Sequence, residues 1–248
     1  AGEMALTDYL SKRNPSAVER LMTERACLDV KHHRVYLGDV VNGALLSDAE
    51  IYRFLCCLPQ VMSRDDIFCC FEGRAGSFQD GIRHAPEPEG GYRARNVTAF
   101  GLSECARGKD AGRLLAAGDL EAFAGLMNVS QLGDRVTEVA PGSSHRIKFL
   151  QDDTLMAMET QGLPICQIAG DYHVSTVNVD RMASICLSCP GVLGARLSGA
   201  GLGGMLMVLG REGFDDALDP LLQRDYYEPL NKQFGKTHIV PSQGAGFY

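Results

Sequence analysis

The residues whose types and spacing best suit ligand chemistry lie in 194-GARLSGAGLGGMLMVLG-210, where Gly194, Gly199, Gly201, Gly203 and Gly204 crowd ahead of an apolar run, Met205 to Leu209. Glycine admits φ > 0 and lets backbone N–H groups face a ligand with no Cβ in the way. Residues 199–204 hold the G-x-G-x-x-G spacing of a dinucleotide fingerprint, which requires a strand before it and a helix after it. Here a strand-like run follows, so that fingerprint is out of order. No Lys-Ser or Lys-Thr follows the glycines, which excludes a G-x4-G-K-[ST] phosphate loop. Two readings stay open. One is a hairpin between 192–198 and 205–210 with the glycines in the turn. The other is a loop with more glycine than a two-residue hairpin needs, whose spare N–H groups face a ligand or a neighbouring loop.

Other candidates are single groups. Asp29, in 24-ERACLDVKHH-33 beside Lys31, His32 and His33, is a weak candidate for a base acting on a hydroxyl; the plainer reading is a polar strand edge or turn. His32 and His33 are neighbours that point to opposite faces of a strand, which disfavours a shared metal. Asp152-Asp153 reads as a solvated acidic turn rather than a Mg²⁺ site. Cys186-Leu-Ser-Cys189 is a lone C-x-x-C with no H-x3–5-H partner, so no zinc site is expected, and the nine cysteines read mostly as small buried apolar residues. His145 and His173 read as surface or hydrogen-bonded residues, and Met205 and Met207 as core fillers.

These groups need elements to position them. Residues 16–24 have helical spacing, 28–46 alternate like strands with turn signals at Gly38-Asp39 and Asn42-Gly43, and Ser47 with Glu50 forms a capping box for a helix over 48–58. The polar Gly/Pro-rich stretch 72–96 predicts a linker or loop. A long amphipathic helix is expected from about Ala94 to Ala117, stopping at Gly118-Asp119, and another over 119–132. A loop over about 133–150 leads to a weakly patterned stretch. Ser175 or Thr176 caps a helix whose apolar face holds Val179, Met182 and Cys186. After the hairpin come a helix over about 213–224 and an extended tail, 237–248.

The bulk figures set limits. The chain has 248 residues, 45% apolar and 22% charged, with a net charge of −7. That suits one large or two small globular domains and offers no basic stripe for nucleic acid. No apolar run reaches the ~18–20 residues of a membrane span. The opening 1-AGEMALTDYL-10 lacks the pattern of a secretory leader, so the expected compartment is the cytoplasm.

Four stretches together resemble the GHMP kinases, in particular the galactokinases. The run 190-PGVLGARLSGAGLGGMLMVL-209 is similar to their third signature motif. The segment 113-RLLAAGDLEAFAGLMNVSQ-131 is similar to their "GD…FG.LMN.SH", 170-GDYHVSTVNVDRM-182 to the "CSTPE.D" that opens the next helix, and 238-HIVPSQGAG-246 to their closing "PS.GAG". The resemblance spans about residues 92–248 in consistent order. Gln131 stands where the family usually has His, Val177-Asn178 where it often has Pro-Glu, and Met205 where it often has Cys. The family's P-x-G-x-G-L-S-S-S-type phosphate loop and its early sugar-recognition motif are not found in the chain.

The resemblance implies an α+β fold: a layered antiparallel sheet with helices, ferredoxin-like as in the GHMP kinase C-terminal domain, over residues 92–248. A mixed helical and strand region, 1–91, precedes it. It implies the C-terminal part of a sugar kinase transferring phosphate from ATP, with Mg²⁺, to a monosaccharide such as galactose. Such a part is inactive without the N-terminal lobe on another polypeptide or removed from this one. Ser198, Gly199, Ala200, Gly201, Gly203 and Gly204 would then buttress the nucleotide-phosphate loop of that lobe. The alternative is a stand-alone, non-catalytic relative that binds a metabolite or a protein.

Overall fold

The computed structural model describes residues 2–26, 35–71, 83–84, 86–137, 148–199 and 204–239. The described chain is α+β, mostly helical, with one two-stranded antiparallel sheet.

Helices α1 (Gly2–Arg13), α2 (Pro15–Ala26), α3 (Leu37–Asn42), α4 (Asp48–Cys57) and α5 (Arg64–Phe71) come first. The capping box at α4 forms as expected: the Ser47 hydroxyl accepts from the Glu50 N–H at 3.3 Å and the Glu50 carboxylate accepts from the Ser47 N–H at 2.9 Å. Helix α3 overturns the strand reading of 28–46 over its described part. Its first turn is closed by the Asp39 carboxylate, which accepts the Tyr36 N–H at 2.6 Å. Val40 is fully buried, and α3 packs on the long helix of the next segment. The β preference of Val40 and Val41 yields to that packing, as a weak local preference does to tertiary burial. Among the described residues before 92 the regular elements are helices joined by turns and coil, with a bridge between Met62 and Tyr92, and no strand of the expected mixed region is among them.

The long helix, α6 (Ala94–Ala117), has the expected bounds. Gly118 ends it in the left-handed region at φ 71°, the conformation that stops helices at a C-cap glycine. Asp119 then caps α7 (Leu120–Asp134), accepting the Ala122 N–H at 3.0 Å. The stretch read as an acidic turn at 152–153 is instead the first turn of α8 (Asp152–Thr160), where carboxylates favour the positive helix end. Thr176 caps α9 (Val177–Ser188), whose Val179, Ala183 and Cys186 are buried. Strands β1 (Val192–Ser198) and β2 (Met205–Gly210) pair from Ser198↔Met205 to Val192↔Gly210, with a bulge near Leu193, and α10 (Asp215–Leu222) runs on into a π-helical turn over Gln223–Tyr227. The expected hairpin is present; the layered sheet is represented among the described residues by this pair alone.

Helix α7 lies along the outer edge of β1 and completes its hydrogen bonding. The Asn128 amide donates to the Leu193 carbonyl at 3.0 Å and accepts the Ala195 N–H at 3.1 Å, as a third strand would. Gly194 makes room for this approach, since a Cβ there would sit 3.0 Å from the Ala124 carbonyl. On the other face of the sheet Ala195, Leu206 and Val208 pack with Cys186, Leu218, Leu222 and Tyr226 in a C-terminal core. Met205 and Met207 are not core fillers: at 57% and 46% exposure they point away from that core. The main core pools Leu6, Leu10, Ile51, Phe54 and Leu55 with Ala99, Leu102, Leu126, Leu155 and Ile165, so it crosses position 91. No described helix is long and apolar enough to cross a membrane.

Candidate functional site

A knot of buried charge sits where α6, α7, the segment before α9 and the end of β1 meet. On α6, Arg107 is 3% exposed. Its Nε donates to Glu104 at 2.6 Å, and its Nη1 donates to the carbonyls of Cys166 and Ile168 at 2.9 and 2.8 Å. Arg196 of β1 reaches the same Glu104 at 3.4 Å. Burial acts to raise the Glu104 carboxyl, but Arg107, the Ser130 hydroxyl and Arg196 together hold it below its ordinary range.

Helix α7 supplies Gln131 and Asp134. The Gln131 amide donates to Asp180 at 3.2 Å and accepts the Leu197 N–H at 2.7 Å. Asp180, fully buried on α9, also accepts the N–H groups of Val136 and Thr137 at 2.8 and 2.9 Å and the Thr137 hydroxyl at 3.0 Å. These donors occupy both oxygens of the carboxylate, so its hydrogen-bonding capacity is met inside the protein. Asp134 is different. It is 4% exposed, and its Oδ1 meets no hydrogen-bond partner among the described residues. Burial, then the Glu104 charge, pushes its carboxyl up to about 6, with Arg196 and Arg107 opposing and Asp180 adding. It exchanges a proton near neutral pH, as acid–base groups do. The Ser175 hydroxyl and Arg107 Nη2 are likewise buried with no partner among the described residues.

The wall facing these groups is strained backbone. Gly170, Asp171 and His173 all have positive φ, of 77°, 61° and 69°; for the latter two this is costly, on the order of 1–3 kcal/mol each, and such strain clusters at working sites. Contacts hold the segment in place. His173 N–H donates to the Gly133 carbonyl at 3.0 Å and Ser175 N–H to the Asp134 carbonyl at 2.8 Å. Arg93 donates to the carbonyls of Asp171 and Tyr172 at 3.2 and 3.1 Å, and Tyr172 stacks on Phe100 with centroids 4.9 Å apart. The backbones are close enough that a Cβ at Gly133 would lie 2.0 Å from the Ala169 carbonyl.

Of the residues singled out from the sequence, Ser198 ends β1 opposite Met205, Gly199 turns away at φ 82°, and Gly204 leads into β2. Ala200, Gly201 and Gly203 lie outside the described residues, as do Asp29, His32, His33 and His145. Asp152 pairs with Arg95 at 2.7 Å. Cys186 and Cys189 are buried free thiols, and burial pushes Cys186 up to about 12, so it is a neutral core residue. The cysteines as a set are less buried than expected: Cys57, Cys69 and Cys70 are exposed. His173 belongs to the strained wall.

A scan of protein-family models matches none to this chain, and neither a curated protein nor a solved structure matches it.

Glu104, Arg107, Asp134, Asp180 and Arg196 were not singled out from the sequence. One signal was present: Ala99, Leu102, Ser103 and Ala106 form one stripe of α6, and Arg107 falls on it. A charge on an apolar stripe implies a buried partner.

Proposed function

We propose that this chain is the C-terminal part of a galactokinase-like kinase that transfers phosphate from ATP to a monosaccharide, with galactose the first candidate, and that it acts together with an N-terminal lobe. The observation that carries the reading is the Gln131–Asp180–Leu197 network. Its members come from 113–131, 170–182 and 190–209, three of the stretches that resemble the family, and Gln131 bonds to both of the others at the base of the glycine run. In that reading Ser198, Gly199, Ala200, Gly201, Gly203 and Gly204 form the buttress beneath the phosphate loop of the N-terminal lobe, and the hairpin belongs to a layered, ferredoxin-like sheet.

Among the described residues, none form a site for Mg²⁺. No group of three His, Cys, Asp or Glu side chains among the described residues is arranged to hold a metal ion. The Asp180 carboxylate is committed to protein donors. Mg²⁺ and ATP are assigned to the complete enzyme, and this chain's contribution is positional.

The test is phosphoryl transfer from Mg·ATP to a panel of monosaccharides, by the purified chain alone and after addition of a galactokinase-type N-terminal lobe. The expected result is no turnover alone and turnover on reconstitution. Turnover by the chain alone would overturn the division of labour, and none in either case would overturn the kinase reading. A second reading, a stand-alone binding relative, draws on the core that crosses position 91, which makes residues before it part of one folded body.

A further inference from the structure

Helices α1, α4 and α5 meet the start of α6 around a cleft of about 500 Å³, far from the motifs above in sequence and sharing no residue with them. Small-molecule sites span roughly 300–1,000 Å³ and join an apolar floor to a few placed polar groups. Phe54, Leu58 and Met62, all buried, line it, and the Tyr9 ring packs on Phe54 with centroids 5.2 Å apart.

Two further observations give the cleft a polarity. The Tyr9 hydroxyl is covered yet has no hydrogen-bond partner among the described residues. A buried hydroxyl without a partner costs free energy and is ordinarily matched by water or ligand. Burial raises the phenol above its ordinary range, so it remains an O–H donor at neutral pH. Lys12 and Arg13, three and four residues on from Tyr9, share its side of α1 and line the same cleft, and Arg13 lies 4.6 Å from the Tyr9 ring centroid. Asp8 also lines it, so the charged residues are two cations against one carboxylate.

The geometry points to a binding site for a small amphiphile with a single carboxylate. Its apolar body lies on Phe54, Leu58 and Met62. Its carboxylate faces Lys12 and Arg13, and it reaches the Tyr9 hydroxyl, which protein atoms cover in this structure, only as the side chains around it shift. This site is independent of the kinase reading.

The chain contains no Trp, so Phe54→Trp places its sole indole, excited apart from the tyrosines, on the cleft floor. Octanoate and octan-1-ol are titrated into this variant. Saturable octanoate binding about tenfold tighter than octan-1-ol is expected, since charge-assisted hydrogen bonds separate the two. In the same background Tyr9→Phe weakens octanoate severalfold and leaves octan-1-ol unchanged, and Lys12→Glu with Arg13→Glu removes the preference for the acid. Calorimetry of octanoate on the unaltered chain supplies the same comparison if Phe54→Trp fails to fold. Equal affinity for acid and alcohol, or a non-saturating response, overturns the proposal.

Discussion

Asp134 differs from its neighbours because its charge is under-compensated. Glu104 has Arg107 and Asp180 has a ring of donors, while Asp134 Oδ1 has no partner among the described residues. Its carboxyl sits up at about 6, so folding favours the protonated form. The stability this group supplies is complete below its unfolded value, about 3.9, and is lost as pH rises through about 6. The window carries on the order of 2–3 kcal/mol at most. Asp134→Asn is expected to leave stability near pH 4 little changed and to raise it by ~1–3 kcal/mol at pH 8, read by urea unfolding at both values. A stability–pH slope between pH 4 and 6 that persists in the variant would show that the carboxyl titrates elsewhere. Arg107 is the counterexample: its charge is buried but compensated, and removing it would strand Glu104 in a dry site.

At the scale of elements, the hairpin is held by a side chain acting as a strand. Asn128 satisfies one donor and one acceptor on the outer edge of β1. Asn128→Ala leaves both unpaired and is expected to cost ~2–4 kcal/mol, since each buried orphan costs ~1–3. Equilibrium unfolding measures this, and a loss below about 0.5 kcal/mol would mean that solvent replaces the amide. The elements also show which signals in the sequence suffice. Ser47 with Glu50, Gly118, Asp119 and Thr176 marked helix ends correctly because capping is a local hydrogen bond between near neighbours. Leu37–Asn42 was misread because its valines favour a strand locally, and only packing against α6 makes a helix of them. The exposure of Met205 and Met207 was hidden for the same reason: a two-stranded sheet buries one face only where a helix covers it.

At the scale of the molecule, the main core joins α1 and α4 to α6, α7 and α8 across position 91. Residues 92–248 alone would expose the α6 stripe of Ala99, Leu102 and Ala106 to water. The truncated piece is therefore expected to lack cooperative thermal unfolding and to be cut rapidly by protease, while the full chain melts in one transition and resists. A cooperative melt of 92–248 by calorimetry would show that the C-terminal core suffices.

The sequence by itself determined where α4, α6, α7 and α9 begin and end, and it offered a hairpin after α9 as one of two readings. Each depends on contacts between residues close along the chain. Tertiary structure alone decided that Glu104, Arg107, Asp134, Asp180 and Arg196 come near one another, that Asp152 belongs to Arg95, and that Tyr9, Lys12 and Arg13 line a cleft floored by Phe54. Each of these groupings joins segments that lie tens of residues apart in sequence. What brings them together is the packing of apolar helix faces, which is cooperative and cannot be read from any one segment.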